Sequence, residues 1–181
     1  PTYVEAYEAN SYSGTTIHYM EDKWDNGAIV AQKRYKVDRQ MNNNDRFLLS
    51  TKHAAYLLNN LHKNNYDITP LNQNLNYISY CHKVVKPKTE LNLLNKDDNI
   101  EGFVRANYAK HLYPFTYLFY NLNLFSIIEI QKIIDVSRIP LKFININSLN
   151  IFRIKNSFFL NFYGQIYCVK KYIFKDEIVS N

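Results

Sequence analysis

Leu122-Asn-Leu-Phe-Ser126-Ile-Ile-Glu129-Ile-Gln-Lys-Ile-Ile134 is the stretch on which the first reading of the fold turns. Ser126 and Glu129 stand at the spacing of a capping box, in which each side chain satisfies an orphan N–H of the opening helical turn, and Phe125 is placed to staple onto Ile130. The stretch therefore predicts a helix opened by Ser126 and closed before Pro140, two residues after Arg138. A second helix is predicted over Arg46 to Leu61. There Ser50 is the candidate cap, Ala54, Leu57, Leu58 and Leu61 recur at i, i+3, i+4 and i+7, and Asn59, Asn60, Asn64 and Asn65 close the segment.

Working outward, each helix follows runs rich in aromatic and β-branched residues, which read as strands. Upstream of Ser50 these are Thr15 to Met20, Ala28 to Val37 and Arg46 to Leu49, broken at Asp25-Asn26-Gly27 and at Gln40 to Asp45. Upstream of Ser126 they are Tyr77 to Val85, Lys88 to Leu94, Glu101 to Lys110 and Tyr113 to Tyr120, with turns at Lys86-Pro87 and Asn95 to Asn99. The two halves share one grammar, a strand meander followed by a helix, so a duplicated ββββα unit is expected. After Pro140 the pattern changes to short strands, Lys142 to Ile146, Ser157 to Tyr163 and Gln165 to Phe174, turning at Tyr163-Gly164. The expected class is α+β, with two antiparallel sheets packed on two helices and a C-terminal β extension. The expected division is a domain over residues 12–140 and a basic, apolar extension over residues 141–181.

Composition narrows the chemistry. The chain has 181 residues, 22 Lys plus Arg against 16 Asp plus Glu, and 16 Tyr and 11 Phe beside 4 Gly and 5 Pro. Collagen-like and linker-like chains are excluded, and the charge of +6 favours polyanionic partners. The apolar run Leu112 to Ile130 is interrupted by Pro114, Asn121, Asn123, Ser126 and Glu129, so no membrane span is expected. Cys81 and Cys168 lack a neighbouring thiol, which argues against a disulfide framework and a zinc site. His18, His53, His62, His82 and His111 show no metal-ligand spacing, and four glycines offer no phosphate-binding loop. Asp97-Asp98 and Glu21-Asp22 sit among turn residues and read as solvated pairs rather than as acid and base. No catalytic residue, metal or cofactor is expected.

Cations interleaved with aromatic rings are the pattern that stands out. They occur in Lys33-Arg34-Tyr35-Lys36, in Tyr80-Cys-His82-Lys83 and in Phe103-Val-Arg105-Ala-Asn107-Tyr108-Ala-Lys110. On strands, such residues put rings for base stacking beside cations for phosphate. These twelve positions, Lys33, Arg34, Tyr35, Lys36, Tyr80, His82, Lys83, Phe103, Arg105, Asn107, Tyr108 and Lys110, are the candidate nucleic-acid-binding residues. Alternation over Glu101 to Lys110 places Phe103, Arg105 and Asn107 together on the open face.

Phe47-Leu-Leu-Ser50 before the first helix, Glu101-Gly-Phe-Val-Arg105 and the run Phe119 to Glu129 carry a resemblance to the Whirly fold. That fold is shared by plant organellar single-stranded DNA-binding proteins and mitochondrial guide-RNA-binding proteins. The resemblance implies a location in a mitochondrion or related organelle and a homo- or hetero-oligomeric assembly. The expected function is a non-catalytic binder of single-stranded nucleic acid, RNA in preference to DNA. The alternative is a structural subunit bound to rRNA in a mitochondrial ribosome or similar ribonucleoprotein, and an enzyme of unassigned chemistry ranks third.

Overall fold

A computed structural model describes residues 2–74, 76, 90–109, 116–120 and 123–175. The chain divides into two compact units, Pro1–Lys83 and Val84–Asn181. The coarse class is as expected: α+β with two antiparallel sheets. The duplicated ββββα arrangement is absent from the described residues, because neither predicted helix start is a helix start.

The first unit contains α1 (Thr2–Tyr7), β1 (Tyr12–His18), β2 (Ile29–Lys36) and α2 (Asn43–Lys63). β1 and β2 form an antiparallel ribbon in the register Tyr12↔Lys36 to His18↔Ile29. Helix α2 packs on one face of the ribbon and against α1. It starts seven residues before Ser50. Asn42 is its cap, with Oδ1 accepting from the Asp45 backbone N–H at 2.9 Å while Asn42 Nδ2 donates back to the Asp45 carboxylate. The segment Arg46 to Leu49 is therefore helical, not a strand. Ser50 has a different role, its Oγ lying 3.1 Å from Thr15 Oγ1 and pinning the helix to β1. The buried stripe is Asn43, Arg46, Leu57 and Leu61, and Leu58 is exposed. The end was placed correctly: Asn64 is the C-cap, followed by Asn65 and Tyr66 at positive φ. Asn42→Ala is expected to lower the stability of this unit by about 1 kcal/mol, the usual worth of such a cap, read as an earlier midpoint in chemical denaturation.

The second unit contains a 3-10 turn (Leu91–Leu93), α3 (Ile100–Asn107), β3 (Thr116–Tyr120), β4 (Asn123–Lys132), α4 (Leu141–Ile144), β5 (Asn150–Ile154), β6 (Ser157–Phe162) and β7 (Gln165–Lys175). Its sheet has the order β3-β4-β7-β6-β5, antiparallel throughout. Ser126 lies inside β4, opposite Tyr117 on one side and Ile173 on the other. The capping-box spacing is genuine but loses to two-sided strand pairing, which buries Phe125 and Ile127 completely. Phe125 packs in an aromatic cluster with Phe158 and Tyr172, at ring separations of 4.9 and 5.0 Å. On the other side Phe143 of α4 stacks on Phe152 at 4.3 Å, over a core that includes Ile139 and Ile166. Lys142 to Ile146 is therefore largely helical where a strand was expected. The β6–β7 hairpin turns at Tyr163 (φ 50) and Gly164 (φ 88), as expected of a two-residue loop that matches strand twist.

Glu101 to Asn107 is also a helix where a strand was expected. Asn99 caps it by accepting from Gly102 N–H at 3.0 Å, and Ile100, Phe103, Val104 and Asn107 form a buried stripe of helical period. Phe103, Arg105 and Asn107 therefore do not share a sheet face. Lys88 to Leu94 includes the 3-10 turn, and Tyr77 to Val85 lies outside the described residues.

Candidate active site

The loop joining β1 to β2 gathers the groups best placed for chemistry. β1 ends at His18, and the Tyr19 N–H bonds to the Ala28 carbonyl at 3.0 Å, closing the neck of a short excursion over residues 19–28. His18 Nδ1 lies 2.8 Å from the Tyr19 carbonyl. A carbonyl only accepts, so Nδ1 carries a proton and Nε2 is the ring nitrogen left for other partners. Nε2 is 3.6 Å from Asp25 Oδ1. The imidazole is largely covered, at 21% exposed, whereas the carboxylate is 90% exposed, so one partner is anchored and the other faces solvent.

Asp25 adopts φ 57, in the left-handed region that Asp tolerates better than most residues. Its backbone is held from outside the loop. Gln73 Nε2 donates to the Asp25 carbonyl at 2.9 Å and to the Gly27 carbonyl at 2.7 Å. The segment bearing Gln73 is brought alongside by reciprocal Ile29–Leu71 backbone bonds of 2.7 and 2.9 Å. Glu21, Asp22, Lys23 and Asn26 line an open cleft of about 490 Å³ on this loop. Trp24, 85% exposed, and Met20, 77% exposed, belong to the same loop.

An imidazole with one nitrogen anchored and the other against a carboxylate can take up, hold and return a proton. Neither residue was singled out from sequence for this role: His18 was weighed only for metal spacing, and Asp25 was read as part of a turn. The available signal was a strand ending in His followed by a carboxylate in an Asp-Asn-Gly turn.

The twelve residues selected from sequence are placed as follows. Lys33 lies over the Tyr56 ring at 4.5 Å and Arg34 over the Tyr12 ring at 4.4 Å. Tyr35 is buried, its hydroxyl near Ser13 and Thr15 and its ring stacked on His53 at 3.9 Å, while Lys36 is exposed. Burial, helped by the charge of Lys33, lowers the His53 pKa. Phe103 and Asn107 are buried on α3, and Arg105 and Tyr108 are half-buried. Tyr80, His82, Lys83 and Lys110 lie outside the described residues. In the second unit the Tyr167 hydroxyl is pushed up to about 12, by burial first and by Glu101 second.

No protein-family model matches the sequence. Among curated proteins the chain is similar to methionyl-tRNA formyltransferase of Ehrlichia chaffeensis, 29% identical over 123 residues, spanning 67% of this chain and 38% of the relative. It is also similar to the methionyl-tRNA formyltransferase of Ehrlichia ruminantium, 26% identical over 146 residues, spanning 78% of this chain and 45% of the relative. The chain thus spans less than half the length of either. Among solved structures it matches the N-formyltransferase from Helicobacter canadensis, in complex with folinic acid and dTDP-3-aminofucose, with a TM-score of 0.57 at 18% identity, over 93% of this chain and 59% of the other. A second match is WlaRD, a sugar 3N-formyltransferase solved in the presence of dTDP and 5-N-formyl-THF, with a TM-score of 0.59 at 17% identity, over 99% of this chain and 60% of the other.

The fold is therefore one found in N-formyltransferases, and the Whirly resemblance is overturned. With it go the non-catalytic single-stranded nucleic-acid binder, the ribosomal-subunit alternative and the oligomeric ribonucleoprotein partners. The relatives are enzymes. Among the described residues no helix is long and apolar enough to cross a membrane.

Proposed function

We propose that these residues belong to an N-formyltransferase that moves a formyl group from a formylated tetrahydrofolate to a primary amine. The observation that carries the reading is the His18–Asp25 pair on the β1–β2 loop. Formyl transfer requires the amine lone pair to attack the formyl carbon, the C–N bond to the donor to break, and one proton to pass from the attacking nitrogen to the departing one. Asp25 is the exposed acceptor of that proton. His18, with Nδ1 fixed by the Tyr19 carbonyl, keeps Nε2 beside the carboxylate, 3.6 Å from Oδ1. The proposed acceptor is the amine of methionyl-tRNA, because the two methionyl-tRNA formyltransferases are 29% and 26% identical to the chain in sequence. The two sugar-modifying neighbours, at 18% and 17% identity, support the fold.

Supplied with a formylated tetrahydrofolate and methionyl-tRNA, the protein is expected to attach one formyl group to the methionyl amine, read by mass spectrometry. Asp25→Asn keeps the shape and loses the base, so kcat should fall by about 10²-fold or more with KM little changed. Formylation of a dTDP-linked amino sugar in place of the tRNA would overturn the acceptor, formylation of neither would overturn the activity, and an undiminished kcat in Asp25→Asn would overturn the assignment of the proton to this carboxylate.

A further inference from the structure

We infer that Gln73 is a positioning residue, which holds Asp25 in the conformation that keeps its carboxylate against His18; its catalytic consequence rests on the formyl-transfer reading above. The argument starts from the two carbonyls that Gln73 Nε2 reaches, those of Asp25 and Gly27. They lie two residues apart, so the two bonds hold the Asp25–Asn26 and Gly27–Ala28 peptide planes, and the first of these fixes the backbone of Asp25 on its C-terminal side. Both neighbours are pure acceptors, so the group facing them is the amide NH2, and its two hydrogens are both used. Asp25 needs that restraint. At φ 57 it sits in the left-handed region, which L-residues adopt less readily than the extended or right-handed ones. The two bonds from Gln73 restrain that conformation from outside the loop.

His18 needs no such help, because its ring is mostly covered and anchored at Nδ1. Asp25 is the movable member of the pair, and Gln73 is the side chain that reaches its backbone from outside the loop. The residue type also fits. Glutamate would set a carboxylate against two carbonyl oxygens, and alanine would leave both without this donor. Gln73 is anchored in turn, since Leu71, two residues earlier, is bonded in both directions to Ile29 of β2. The path from β2 through Leu71 and Gln73 to Asp25 thus makes the hairpin brace its own loop.

The test uses Gln73→Glu and Gln73→Ala, singly and combined with Asp25→Asn. Trp24 is the chain's sole tryptophan and adjoins Asp25, so time-resolved fluorescence anisotropy reports on this loop whatever the reaction. In both single variants the expected result is faster, wider local motion of Trp24, with the far-UV circular dichroism unchanged. In the formyl-transfer assay kcat should fall by about ten-fold with KM within about two-fold, and the same substitutions should have no further effect on kcat in the Asp25→Asn background. Unaltered Trp24 anisotropy in both variants would show that Gln73 does not hold the loop, whether or not the formyl-transfer reading is correct. A more mobile Trp24 accompanied by the same ten-fold loss of kcat with and without Asp25→Asn would show that Gln73 does not act through Asp25.

Discussion

Arg46→Met is expected to destabilise the first unit by about 3–5 kcal/mol, the loss typical when one member of a buried, hydrogen-bonded charge network is removed. Arg46 is 1% exposed and lies in the first turns of α2, on the stripe that faces the ribbon. Its Nε donates to the Met41 carbonyl at 3.0 Å, and Nη2 to the carbonyls of Asn10 at 2.8 Å and Asp38 at 3.2 Å. Burial pulls its pKa below the ordinary arginine value, opposed by the charges of Glu5 and Asp38. Asn10 precedes β1 and Asp38 follows β2, so one guanidinium ties together the two chain ends at the open end of the hairpin. Methionine fills similar volume but leaves those carbonyls without their donor, at about 1–3 kcal/mol for each one buried. Glu5 lies 3.9 Å from Nη1, too far for a hydrogen bond, so Glu5→Gln should cost much less than Arg46→Met. Urea denaturation measures both. A shift worth under about 1 kcal/mol for Arg46→Met would show that helix and ribbon hold together by apolar packing alone.

Arg46 also shows where sequence reading ran out. The segment it opens reads as a strand from sequence, because Arg46-Phe-Leu-Leu is apolar and short and Ser50 is a good cap residue. The competing signal, Asn42 with Asp45 three residues on, caps a helix that starts about two turns before Ser50. β1, β2, β6 and β7 were legible because turn residues such as Asp25-Asn26-Gly27 and Tyr163-Gly164 bound them on the chain itself. β4 was not, since its partners β3 and β7 hold Ser126 from both sides and one of them starts some forty residues later. Helix α3 was misread in period: Ile100, Phe103, Val104 and Asn107 repeat at helical spacing, but Phe103 to Asn107 also alternates. The candidate site was least legible, because its parts are backbone geometry. A positive φ at Asp25, a ring nitrogen on the Tyr19 carbonyl and a bracing amide contributed by Gln73, 48 positions from Asp25, leave almost no trace in composition.

That dependence on backbone makes Gly27→Ala the most damaging single change expected at the site. A Cβ at position 27 would lie 1.8 Å from the Tyr19 carbonyl oxygen and 2.7 Å from its carbon, far inside contact distance and against backbone that has no rotamer to yield. The Tyr19 carbonyl would have to move, and it is the group that anchors His18 Nδ1. The Gly27 carbonyl would move as well, and it is one of the two held by Gln73. The neck bond from Tyr19 N–H to the Ala28 carbonyl would open between them. One methyl group thus loosens the imidazole and the carboxylate together, which no substitution of Asp25 or Gln73 alone does. Formyl transfer should fall by about 10³-fold or more, against a stability loss of about 1–3 kcal/mol, the range for overpacking. Nitrogen-edited NMR of the imidazole should show loss of the His18 Nδ1–H signature, while α2 keeps its backbone hydrogen-exchange protection. Gly27→Ser should behave alike, because the clash lies with the first side-chain atom and not with polarity. Gly14→Ala is the control: a Cβ there meets the Lys33 carbonyl at 3.6 Å, an ordinary contact, so that variant should keep both stability and activity. Near-wild-type transfer by Gly27→Ala would show that the Tyr19 carbonyl can shift without releasing His18, and that the geometry of this loop does not set the rate.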